Sequence, residues 1–211
     1  MEVIKKPLGQ MGTNCYVIWD ETTLEAAVID PGFEDPRIND IINDNKLKVE
    51  YILLTHGHFD HLGGVDQIKQ LTGAKVLIHE NDADCLLDPR RNLSVLAGMS
   101  MVLEPADGFL KENDIITLGT TKMRVIHTPG HSKGGVCLLV EDQLFAGDTL
   151  FNTSIGRTDF ADGDLNELLT MIETKLFILS DATIVLPGHG ENTTIGYEKM
   201  NNPFLKRRFQ E

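Results

Sequence analysis

The chain has 211 residues, 41% of them hydrophobic and 24% charged, which suits one globular domain spanning 1–211. Its net charge of -13 repels phosphate backbones and anionic lipid, which argues against nucleic acid or a membrane as partner. Met1 to Pro7 has no apolar leader core, no run approaches the roughly 20 apolar residues a bilayer needs, and Cys15, Cys85 and Cys137 form no C-x-x-C pair, so they read as free thiols of a cytoplasmic protein.

Short branched apolar runs alternate with turn signals along the chain. Strands are predicted at Asn14 to Trp19 and Ala26 to Asp30, joined by a polar turn at Asp20-Glu21-Thr22. Ile38, Ile41 and Ile42 give Asp35 to Asn45 a helical period, with Asp35-Pro36 as its cap and first turn. A strand at Val49 to Thr55 precedes a helix at Leu62 to Thr72, which Gly73 stops. Lys75 to His79 reads as a strand and Asn81 to Leu87 as a short helix, in which Asp82 and Asp84, like Asp66 before them, read as solvated charges. Residues Asp88 to Glu112, with Pro89, Gly98, Pro105 and Gly108, read as an irregular loop or cap. Strands follow at Ile115 to Leu118, Lys122 to His127, Gly135 to Val140 and Gln143 to Ala146. A helix at Asp164 to Leu179 carries an inner face of Leu165, Leu168, Leu169, Ile172, Leu176 and Leu179. A last strand at Thr183 to Leu186 and a short helix near Ile195 to Asn201 complete the chain order.

The chemistry gathers where strands end. Tyr51 to Leu54 runs into Thr55-His56-Gly57-His58-Phe59-Asp60-His61, and Met123 to Ile126 into His127-Thr128-Pro129-Gly130-His131. Leu144 to Ala146 runs into Gly147-Asp148, and Ile184 to Leu186 into Pro187-Gly188-His189. Each strand delivers imidazole or carboxylate beside a glycine, and such ligands suit zinc, iron or manganese. Five histidines and two aspartates exceed what one tetrahedral ion uses, so two ions sharing a carboxylate are expected.

The run Thr55-His56-Gly57-His58-Phe59-Asp60-His61, followed in order by His131, Asp148 and His189, resembles the signature of the metallo-β-lactamase superfamily. That resemblance implies a four-layer αββα sandwich of α/β class with the site at one edge of the sheets. It implies His56, His58 and His131 on one metal, Asp60, His61 and His189 on a second, and Asp148 bridging both. Zinc is the first expectation, with iron or manganese as alternatives. His127-Thr128-Pro129-Gly130-His131-Ser132, Gly147-Asp148-Thr149-Leu150-Phe151 and Ser154 to Phe160 resemble glyoxalase II-like hydrolases in a form without their C-terminal helical domain.

The expected reaction is thioester hydrolysis, on S-lactoylglutathione or related substrates, by a hydroxide between the metals with Asp60 orienting it. A thiolate leaves without a general acid. The rival from another class is a mononuclear-iron oxidoreductase resembling persulfide dioxygenases, whose motifs overlap with these. A nuclease is disfavoured by the acidic charge, and a β-lactamase by the bridging Asp148 and the lack of a leader. Arg157 either pairs with Asp159 or meets an anionic substrate group at the cleft, and Lys133 is a second candidate for a substrate carboxylate. His127 reads as a structural histidine near the site, and His79 as one that either stands behind the ligands or lies on the surface.

Overall fold

The computed structural model describes residues 1–205. One six-stranded sheet takes the order β1 (Glu2–Leu8), β2 (Thr13–Trp19), β3 (Glu25–Ile29), β4 (Lys48–Leu53), β5 (Lys75–His79), β6 (Gly108–Leu110). The second sheet uses β7 (Ile115–Leu118), β8 (Thr121–His127), β9 (Val136–Val140), β10 (Gln143–Gly147), β13 (Ile184–Pro187) and β14 (Thr193–Thr194), in the order β14-β13-β10-β9-β8-β7. Helices α1 (Pro36–Asp44), α2 (Phe59–Leu62) and α3 (Val65–Thr72) accompany the first sheet. Helices α4 (Leu165–Met171) and α5 (Ile195–Asn201) accompany the second, and a small hairpin β11 (Leu150–Phe151) and β12 (Ser154–Ile155) borders the site. No helix among the described residues is long and apolar enough to cross a membrane.

The layers follow from period-2 patterning. In β2, Cys15, Val17 and Trp19 pack with Ile38, Ile42, Val65 and Ile68 of the helices, while Tyr16 and Ile18 face the other sheet. Tyr16 meets Phe145 edge-on there, with ring centroids 5.1 Å apart. A third core joins β9, β10 and β13 to α4 and α5 through Cys137, Leu144, Val185, Leu168, Leu176 and Ile195. The result is the four-layer αββα sandwich. Parallel pairing of β3, β4 and β5, and of β10 with β13, sends their C-terminal ends toward one edge.

Several expectations shift in detail. The edge strand β1 is unannounced by the sequence, because Lys5, Lys6 and Pro7 suit a half-exposed edge rather than an apolar run. Residues 80–86 form a 3-10 turn, and the stretch Asp88 to Glu112 holds only a second 3-10 turn, Ser94–Ala97, and β6. Leu165, assigned to the inner face of α4, lies in the first turn and is exposed.

Candidate metal centre

His56 and His58 follow β4, His131 follows β8, Asp148 follows β10 and His189 follows β13, while Asp60 and His61 sit in the single turn α2. All seven side chains meet at one sheet edge. His56, His58 and His131 form one group of convergent donor atoms, Asp60, His61 and His189 a second, and His56, His61 and Asp148 a third that lies between them. His56 Nε2 is 3.3 Å from His131 Nε2. Asp148 Oδ2 is 3.6 Å from both His131 Nε2 and His189 Nε2, and its Oδ1 is 3.4 Å from His61 Nε2. Asp60 Oδ2 is 3.2 Å from His189 Nε2.

The surroundings orient four of the five rings, those of His131, His189, His56 and His61. His131 Nδ1–H donates to the Arg157 carbonyl at 2.7 Å, and His189 Nδ1–H to the Met11 carbonyl at 3.2 Å. Thr55 Oγ1 gives its proton to Asp30 Oδ2 at 2.6 Å and so accepts from His56 Nδ1 at 3.2 Å. His61 Nδ1 lies 3.0 Å from Asp30 Oδ2. In each case Nε2 is left facing inward. Asp30 was not singled out in the sequence; its signal is a carboxylate closing the apolar run Ala26 to Ile29 at Ile29-Asp30-Pro31-Gly32, in a left-handed conformation with φ 48°.

Electrostatics sort the rings. Burial, then the neighbouring His61 and His58, holds His56 well below the usual imidazole range, and burial beside His131 brings His58 down to about 3. Both therefore keep a free lone pair. Burial opposes charge on His61, yet Asp148, Asp30 and Asp60 hold it well above the usual range. Burial also opposes the Asp148 carboxylate, but His61, His56 and His131 keep it ionised.

A methyl group at Gly188 would run into Asp148 Oδ1 and His61, so only glycine lets β13 turn this close to the cluster. Asp82, read from sequence as a solvated charge, is instead 2% exposed. Its Oδ2 accepts from Gly57 N at 3.0 Å and Ser132 Oγ at 2.7 Å, and its Oδ1 from Gly134 N at 2.6 Å. One carboxylate thus clamps the His56–His58 loop to the His131 loop.

A model of the metallo-beta-lactamase superfamily matches residues 8–189. The chain belongs to that superfamily. Among relatives of this superfamily member is the hydroxyacylglutathione hydrolase GloC of Haemophilus influenzae, 36% identical over 96% of this chain and 97% of the relative. The crystal structure of the B3 metallo-beta-lactamase BLEG-1 is 40% identical, with a TM-score of 0.91 over 97% of this chain and 99% of that one. TTHA1623 in a di-iron-bound form is 32% identical, with a TM-score of 0.82 over 97% of this chain and 100% of that one.

The residues of this superfamily member fit divalent metal ions. Imidazole and carboxylate are suitable donors, and at His56, His131 and His189 an inward Nε2 backed by an Nδ1 hydrogen bond is the arrangement that metal-binding histidines need. His61 Nε2 and Asp148 Oδ1 are buried without a hydrogen-bond partner among the described residues, which suits ligands rather than structural groups.

The substrate candidates divide. Arg157 does line the cleft above the cluster, and it also forms the anticipated pair, donating to both Asp159 oxygens at 2.7 Å. Lys133 is not brought to the cleft wall; its ammonium lies 3.0 Å from Asp162 Oδ1, because its loop runs toward that acid. His79 and His127 stack on each other at 4.0 Å outside the cluster, and His127 Nε2–H donates to the Lys133 carbonyl at 3.0 Å.

Proposed function

We propose that the chain is a dinuclear metal-dependent thioesterase of glyoxalase II type, acting as one domain in the cytoplasm on S-lactoylglutathione or related thioesters. The observation that carries this reading is the placement of Asp148 between two three-donor groups at the floor of a cleft of about 600 Å³. The likeness to GloC supports the thioester class. His56, His58 and His131 would hold one ion, and Asp60, His61 and His189 the other, with Asp148 shared; zinc is the expected metal, and the likeness to a di-iron form makes iron the alternative.

When bound, two such ions lower the pKa of water toward 7 and polarise a carbonyl. Asp60 would orient the attacking hydroxide. Thr13 Oγ1, 3.4 Å from Asp60 Oδ2, and His189 hold that carboxylate in place. The buried floor keeps His56 and His58 neutral and so available as donors. A thiolate leaves readily, so no side chain is needed to protonate it.

The test is metal analysis of protein purified without added metal, beside kcat/KM on S-lactoylglutathione and simpler thioesters. Two ions per chain and thioester turnover are expected. One iron per chain with oxygen uptake on glutathione persulfide and no thioester cleavage would replace the hydrolase reading by the dioxygenase one. The likeness to BLEG-1 favours β-lactam hydrolysis as a second reading, so a β-lactam belongs in the same panel.

A further inference from the structure

The cleft over the cluster is apolar on both sides. Leu93, Leu96 and Phe160 form one wall, and Phe160 meets His58 edge-on at 5.6 Å. Met11 and Phe151 form the other, with Phe151 edge-on to His189 at 6.2 Å. Each of the two three-donor groups therefore has its own apolar flank. Leu96 is 70% exposed and Met11 57% exposed, so both walls offer apolar surface that an occupant would cover.

The first wall is built, not incidental. Leu93 adopts φ 68°, a left-handed conformation that a side chain with a Cβ seldom takes. Asn92, fully buried, holds it there: its Nδ2 donates to the carbonyls of Cys85 at 2.8 Å and Met101 at 3.0 Å, its Oδ1 accepts from Ser94 N at 3.0 Å, and its own carbonyl accepts from Phe59 N at 2.9 Å. The strained turn directs Leu93 and Leu96 into the cleft lining.

Charge recognition is spent elsewhere. Arg157 is the cleft lining's one lysine or arginine among the described residues, and Asp159 already takes it bidentately while its guanidinium sits 4.1 Å over the Phe160 ring. Arg157 thereby fixes an apolar wall rather than offering a free cation.

We infer that this cleft selects small neutral thioesters with apolar groups on both sides of the scissile carbonyl, in preference to the doubly carboxylated glutathione conjugates. The inference rests on the thioesterase reading above and narrows its substrate class. An apolar acyl chain lies along one wall, and the thiol substituent along the other.

The test uses metal-loaded enzyme and two matched series, from acetyl to hexanoyl, as thioesters of neutral N-acetylcysteamine and of glutathione. For the neutral series, kcat/KM should rise about fourfold per methylene until the wall is covered. At equal acyl length the neutral thioester should exceed its glutathione counterpart. Leu96→Ser, an exposed position where folding is not at stake, should flatten the rise. Turnover that is indifferent to acyl length, or glutathione thioesters favoured throughout, would overturn the inference while leaving the thioesterase reading in place. No turnover of either series would overturn both.

Discussion

Asp82 shows how much a single carboxylate can organise. A buried anion is costly unless its oxygens are satisfied, and here the donors come from the two loops that carry His56, His58 and His131. In Asp82→Asn the amide group must face a donor, so one tie between the loops is lost. Partners behind the ligands of a metal site commonly set affinity by 10- to 100-fold. We expect Asp82→Asn to remain folded and to lose about that factor in metal affinity, measured by competition with a chelator. Wild-type affinity in this variant, with the apo-protein's unfolding midpoint lowered, would reduce Asp82 to a purely structural role.

At the scale of elements, α4 shows where helical periodicity falls short. The sequence suggests one helix from Asp164 to Leu179, yet the backbone widens into a π-type turn at Ile172–Leu176, where Phe177 N bonds back to Ile172 O at 2.9 Å. The extra residue in that turn keeps Ile172 and Leu176 on the sheet while Phe177 remains half-buried. Leu176 is fully buried, and its replacement by alanine should cost about 2–5 kcal/mol through lost burial and an unfilled cavity. Urea denaturation measures this, and metal content should stay unchanged because Leu176 belongs to the apolar core between α4 and the second sheet. A loss under about 1 kcal/mol would mean that the α4 layer repacks freely. The edge strand β1 escaped prediction for a related reason. Its lysines and proline discourage strand-to-strand association at a sheet edge, and in doing so they erase the apolar alternation that advertises a strand.

At the scale of the whole molecule, the two sheets are tied at their far end by Asp20. Its carboxylate accepts from Thr22 N and Thr23 N of its own turn at 2.9 Å, and from Thr120 N at 2.9 Å in the β7–β8 turn. The Thr120 hydroxyl, and then the backbone N–H of Thr23, hold the Asp20 carboxyl well below the usual carboxylate range. A carboxyl lowered by folding adds stability above its unfolded pKa of about 3.9, and that stability is lost as pH falls toward the folded value. The urea midpoint of the wild type should therefore decline below about pH 5, and Asp20→Asn should remove part of that decline. Identical pH dependence in both proteins would show that the tie contributes nothing.

What the sequence determined by itself is the set of candidate donors and most of the strands and helices, while the order of layers was implied only by the family resemblance. Strand ends that deliver His56, His58, His131, Asp148 and His189 beside glycines are local features, and alternating or helical apolar patterns are local too. Folding decided everything that depends on partners distant in the chain. It buried Asp82 between one loop 25 residues before it and another 50 residues after it in sequence, set Asp30 behind His61, turned Lys133 to Asp162, and gave Arg157 to Asp159 at the cleft rim. It also drew Leu93 and Leu96 out of an unpatterned segment to wall the cleft. Local pattern records what a backbone segment can form, whereas the role of a charge or a lone leucine depends on which groups three-dimensional packing sets against it.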